Sequence, residues 1–139
     1  MKIVLITLFV IFNISCSNIE KKIDCEQFKD GKFYLKGRHS NEEYIIERNG
    51  YIQTETTKRT GNIVSMSVKW VNPCTYELIF KELIRNDTIA ADGKKVIIKI
   101  KDDSPVSTSI LKVAKNYYVF GIGKSGYNYE YSDTMWIIK

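Results

Sequence analysis

The sequence predicts an all-β domain: an antiparallel up-and-down meander of eight or nine strands closed into a barrel, with a two-layer β-sandwich as the alternative. Three observations carry this. Short runs of alternating apolar and polar residues recur from Lys32 onward, turn residues separate them at hairpin spacing, and no stretch keeps an apolar helical period for long. A meander has two exposed edges unless its first and last strands meet. Few links here are long enough for the crossings of a sandwich, so closure into a barrel is the simpler solution.

Cys25 to Lys29 has room for a single helical turn before Asp30-Gly31. Lys32 to Lys36 and Tyr44 to Arg48 read as strands, and Asn49-Gly50 is the strongest hairpin signal because both residues tolerate positive φ. Tyr51 to Thr57 is the return strand, and Thr60-Gly61-Asn62 makes the next turn. Val64, Met66, Val68 and Trp70 then alternate with Ser65, Ser67 and Lys69, a half-buried strand with one apolar face. Asn72-Pro73 breaks it and Cys74 to Ile84 runs back. The part of that run from Tyr76 comes closest to a helical period, but its Tyr, Ile and Phe residues favour strand. After a polar stretch, Val96, Ile98 and Ile100 alternate with Lys99 and Lys101 up to a break at Ser104-Pro105. Ser109 to Val113, Tyr117 to Ile122 and Tyr129 to Ile138 complete the series, with Gly123 to Gly126 as a flexible turn.

The first 16 residues carry a message about location. Lys2 precedes an apolar run from Ile3 to Phe12, too short for a bilayer span of roughly 20 apolar residues but suited to a secretory signal. Ser15 stands directly before Cys16, an arrangement that resembles a bacterial lipobox, with Asn13 where Leu is usual. The resemblance implies a signal peptide over residues 1–15 and a lipid on Cys16, ordinary cleavage nearby being the alternative. Ser17 rather than Asp follows Cys16, which favours the outer membrane of a cell envelope. Residues 16–24 then form the lipidated Cys and a polar tether, and 25–139 a single β domain. Eight extended residues after Cys16 reach about 26 Å at most, enough to hold a domain off a lipid surface.

Cleavage before Cys16 takes 15 residues and one cation, Lys2, from 139 residues with 21 basic and 16 acidic groups. That leaves 124 residues and 20 basic groups, a net charge of about +4, which describes a solvated, mildly basic surface rather than a polycation. Cys25 and Cys74 remain as an even pair in a compartment that permits disulfides, and a bridge between them is the expected use. Two thiols with the lone His39 supply at most three soft ligands without CxxC spacing, so no metal site is expected.

The spacing Cys25-x-x-Phe28-x-x-Gly31-x-Phe33, Ile46-x-Arg48, Gln53-x-Glu55 and Val68-x-Trp70-x-x-x-Cys74-x-Tyr76 resembles a group of short, uncharacterised bacterial lipoproteins over about residues 16 to 80. Members of that group sometimes carry a DNA topoisomerase label, which a domain of this size with no nucleotide or cleavage site does not support. A short helix followed by Gly31-x-Phe33 entering an eight-strand meander is also similar to the opening of lipocalins, where Trp is usual at the position of Phe33.

Catalytic signals are absent from the sequence. His39 stands alone in a polar stretch, and there is no Gly-x-Ser-x-Gly, His-Glu-x-x-His or phosphate loop. Glu42-Glu43 and Asp102-Asp103 are chain neighbours that point to opposite faces on a strand, and no dense oxygen-ligand loop surrounds Asp102-Asp103-Ser104 for calcium. The aromatics carry more weight. Period two sends Tyr127, Tyr129 and Tyr131 to one face, where phenol rings either fill the core or line an amphipathic cavity. The expectation is a membrane-tethered, non-enzymatic binding domain without cofactor. Met66, Val68, Trp70, Tyr76, Leu78, Phe80, Tyr127, Tyr129 and Tyr131 would line a cup for a small apolar or amphipathic ligand. The alternative is a protein-interaction or inhibitor module of the envelope, working through loops near Asn49-Gly50 and Gly123 to Gly126; export removes nucleic acid as a partner.

Overall fold

A computed structural model of the chain describes residues 24–96, 104–123 and 129–139. The signal segment, Cys16, Ile98, Ile100, the pair Asp102-Asp103, the turn from residue 124 to 126 and Tyr127 lie outside them. A single 3-10 turn, Glu26–Phe28, leads into eight strands: β1 (Gly31–Lys36), β2 (Glu43–Asn49), β3 (Ile52–Thr57), β4 (Ile63–Asn72), β5 (Thr75–Arg85), β6 (Val106–Val113), β7 (Tyr117–Ile122) and β8 (Tyr131–Ile138). Each is antiparallel to the next, and β8 returns to pair with β1 through Lys32↔Ile138 to Leu35↔Met135, so the meander closes into a barrel and the sandwich is set aside.

Several boundaries differ from the sequence reading for local reasons. Asn49 ends β2 opposite Ile52, and only Gly50, at φ +61°, uses the left-handed region, so Gly50-Tyr51 is the hairpin loop. β6 starts three residues earlier than expected, directly after Pro105, because Val106 and Ser107 find ladder partners in Leu78 and Glu77. Tyr129 precedes β8 rather than opening it.

The barrel has two unlike ends. At one end meet the 3-10 turn, the Gly50-Tyr51 hairpin loop, the β4–β5 turn and the β6–β7 turn. The Cys25–Cys74 disulfide, spanning 49 positions with Cα atoms 5.3 Å apart, staples the first of these to the third. Asp30 Oδ1 accepts the Gly50 N–H at 2.6 Å, and Cys74 O accepts the Ile110 N–H at 2.7 Å. The opposite end carries the longer connections, 37–42, 58–62, 86–105 and 123–130. The buried core, with Cys25, Phe28, Phe33, Val68, Tyr76, Tyr118 and Met135, is concentrated toward the stapled end.

Candidate functional site: the barrel interior

Strand register decides which side chains face inward. Ile46 and Arg48 stand opposite Glu55 and Gln53, which stand opposite Val64 and Met66, while Met66, Val68 and Trp70 stand opposite Phe80, Leu78 and Tyr76. Ladder partners share a face, and Ile46, Arg48, Gln53, Val68 and Tyr76 are buried, so this face is the interior. On the far wall Thr108, Phe120 and Asp133 follow the same alternation, with Ile122 and Tyr131 nearer the mouth.

The floor is built around a cation. Arg48 is 2 % exposed and its hydrogen-bond partners are all neutral. Its Nε donates to Gln53 Oε1 at 2.8 Å and Nη1 to the Phe28 carbonyl at 2.7 Å, while Nη2 reaches the hydroxyls of Tyr76 at 3.1 Å and Tyr118 at 3.3 Å. The guanidinium carbon sits 4.5 Å from the Tyr76 ring centre and 5.4 Å from that of Phe33. Burial acts to lower the pKa of Arg48, and the Tyr76 and Tyr118 oxygens more than offset it, so the group stays charged. The same burial, with Tyr76 alongside, pushes the Tyr118 phenol well above its usual range.

Above this floor the polar chain continues upward. Gln53 Nε2 donates to Glu55 Oε1 at 2.7 Å, linking Arg48 to a carboxyl on the wall. Loss of water raises the Glu55 pKa, and the hydrogen bond from Gln53 and the charge of Arg48 only partly counter it. Yet Glu55 is only half-buried by surface area, as are Met66, Leu78 and Phe80. The half-buried inward residues lie in the middle and mouth of the barrel, above the closed floor around Arg48.

Asp133, on the opposite wall, is already fully used. Its Oδ1 accepts the Thr134 N–H at 2.7 Å, and its Oδ2 accepts the Arg38 N–H at 2.9 Å and the Tyr131 hydroxyl. Burial would raise this carboxyl, but those three donors outweigh it and hold it below the usual range. Burial and the adjacent carboxylate push Tyr131 up to about 12.

The residues expected to line a ligand site divide among four places. Met66, Leu78 and Phe80 stand on the accessible wall, and Tyr131 joins them near the mouth. Val68 and Tyr76 belong to the sealed floor. Trp70 packs against Tyr76 at 4.8 Å and borders an outer groove of about 500 Å³ with Lys29, Tyr51 and Lys69. Tyr129 lies on the outside: a methyl group on Gly121, a position alternating with inward Phe120 and Ile122, would fall 2.6 Å from its ring carbons. Tyr129 and Tyr131 thus do not share one face, because the chain bends at Glu130 before β8 begins. His39 is exposed in the β1–β2 connection. Among the described residues no group of three His, Cys, Asp or Glu side chains could hold a metal ion.

Sequence reasoning gave Arg48, Gln53 and Glu55 no role. The signal was present: the Gly50 hairpin sets Arg48 opposite Gln53, and period two from Ile46 puts all three polar groups on the apolar face. No protein-family model, curated protein or solved structure matches this chain.

Proposed function

We propose that this chain is a lipid-anchored protein of the bacterial cell envelope, tethered through Cys16, whose lipocalin-like barrel is a binding cup for a small apolar or amphipathic molecule. The observation that carries the reading is the contrast within the interior. Its floor is closed by packed rings around Arg48, while the apolar side chains above, Met66, Leu78 and Phe80, keep surface that water can reach. Apolar surface left open inside a closed barrel is where a ligand gains most from leaving water. The described chain starts at Asp24, beside the Cys25–Cys74 bridge, so an anchor on Cys16 would leave the mouth pointing away from the membrane.

The test uses residues 17–139, which contain every described strand and the disulfide. Native mass spectrometry of this domain isolated from the envelope of its own host should show a reproducible added mass that leaves on denaturation. The neutral fluorescent probe N-phenylnaphthylamine should brighten on addition and be displaced by an alkyl amphiphile. A protein that arrives bare and leaves the probe dark would defeat the reading. Attention would then pass to an interaction module, for which Tyr51, 77 % exposed, and Val71 at the stapled end are the supporting observation.

A further inference from the structure

Among the described residues three charged side chains, Arg48, Asp133 and Glu55, face the barrel interior, and of these three Glu55 is the one with an unengaged oxygen. Arg48 is the obvious anchor for a carboxylate head, but it is sealed at 2 % exposure and four of its N–H directions are occupied by Gln53, Phe28, Tyr76 and Tyr118. Asp133 has both oxygens engaged, by Thr134, Arg38 and Tyr131. Glu55 differs from both. Its Oε1 accepts from Gln53, its Oε2 has no hydrogen-bond partner among the described residues, and the side chain keeps accessible surface at the level where the apolar wall begins.

Resting on the reading of the barrel as a small-molecule cup, we propose that its ligands are amphiphiles with a protonated amine head. The head donates to Glu55 Oε2, and the tail lies against Met66, Leu78 and Phe80. A half-buried carboxyl that lacks a full set of donors is costly to ionise, and an incoming ammonium supplies both the missing donor and the compensating charge. A carboxylate head meets the opposite situation, since Glu55 repels it and the buried cation below cannot turn to meet it. Glu55 thereby acts as a selector of head-group charge, and the hydrophobic wall as a selector of size.

The net charge of the domain makes the test clean. With 20 basic and 16 acidic groups on residues 17–139, the mean field of the protein favours anions, so a preference for a cationic amphiphile cannot come from the surface. Displacement of N-phenylnaphthylamine from this domain is compared at neutral pH for dodecylamine, dodecanol and dodecanoate, all below micelle-forming concentration. Dodecylamine is expected to displace the probe at roughly tenfold lower concentration than dodecanoate, the scale of one charge-assisted hydrogen bond. Glu55→Gln, which keeps the acceptor for Gln53, should erase that difference. Equal or better displacement by dodecanoate, or a Glu55→Gln variant that keeps the amine preference, overturns the head-group assignment and leaves the cup reading standing. Failure of the probe itself to bind wild-type protein overturns both.

Discussion

Arg48 shows how a single residue can organise one end of a barrel without an anionic partner. Its planar fork reaches a carbonyl, an amide and two phenols in different directions, which a lysine ammonium on a flexible stem cannot reproduce. Arg48→Lys is expected to cost about 2 kcal/mol, and Arg48→Met somewhat more, because the Phe28 carbonyl is then buried without a donor while the two hydroxyls can turn to each other. Urea unfolding of each variant measures this, and an unchanged midpoint for Arg48→Met would refute the assignment. Glu55 should behave in the opposite way. Its folded pKa is raised, with Arg48 and the Tyr44 phenol from β2 and the uncharged Val64 and Met66 from β4 around it, so the stability it contributes is full below its unfolded pKa and lost as pH rises through the folded value. Glu55→Gln should therefore be more stable than wild type at neutral pH and indistinguishable from it in acid, as thermal melts at the two pH values will show. These residues were readable only in part. Alternation carries the inward placement of Arg48 and Glu55, which sequence reasoning did not draw, and which polar atoms are satisfied depends on Phe28 and Tyr118, brought in from distant parts of the chain.

At the level of elements, strands with clean alternation were legible and the links between unlike segments were not. The run from Val64 to Trp70 identifies itself as a strand by its alternation, and so does the return strand after Pro73, although Ser65 on the expected wet face is buried beside the register shift at Ser65/Met66. The irregularities at Ser65/Met66 in the β4–β5 ladder and Ile110/Lys112 in the β6–β7 ladder leave no mark in composition, being adjustments of twist needed to close the barrel. The Cys25–Cys74 pairing was legible from cysteine arithmetic, and its structural meaning comes from position: it holds the 3-10 turn whose Phe28 carbonyl receives Arg48. Closing a loop of 49 positions is worth about 4 kcal/mol in the chain-entropy model. Residues 17–139 should show no titratable thiol until reductant and denaturant are added together, and Cys25→Ser/Cys74→Ser should unfold at a correspondingly lower urea concentration. Two free thiols in the untreated protein would contradict the bridge. Asp133 plays a comparable part at the other end, tying the β1–β2 connection to β8 through the Arg38 amide. Its depressed pKa means that this support is present above its unfolded pKa and fades as pH falls through the folded value.

For the molecule as a whole, closure followed from the sequence, but the difference between the two ends did not. Hairpin-sized links imply a meander whose first and last strands meet, whatever the side chains, whereas a sealed floor and a more accessible mouth depend on where the register places the large rings. Phe28, Phe33, Tyr76 and Tyr118 all gather at the stapled end, and the inward positions toward the other end mix partly exposed Glu55, Phe80 and Ile122 with buried Phe120 and Asp133. Packing density sets local stability, so the barrel should open from the mouth inward. Hydrogen exchange followed by mass spectrometry should find the amides of Val68 and Ile110, which bond to the Tyr51 and Cys74 carbonyls at the stapled end, exchanging only through global unfolding. Segments around Thr57, Ile63 and Ile122 should exchange through smaller local openings. An amphiphile seated in the cup should slow the second group and leave the first tied to global stability, because it adds apolar contacts only above the floor. Uniform protection along the barrel axis, or ligand-dependent slowing confined to the stapled end, would mean that the internal space is filled and that binding, where it occurs, uses the outer groove beside Trp70.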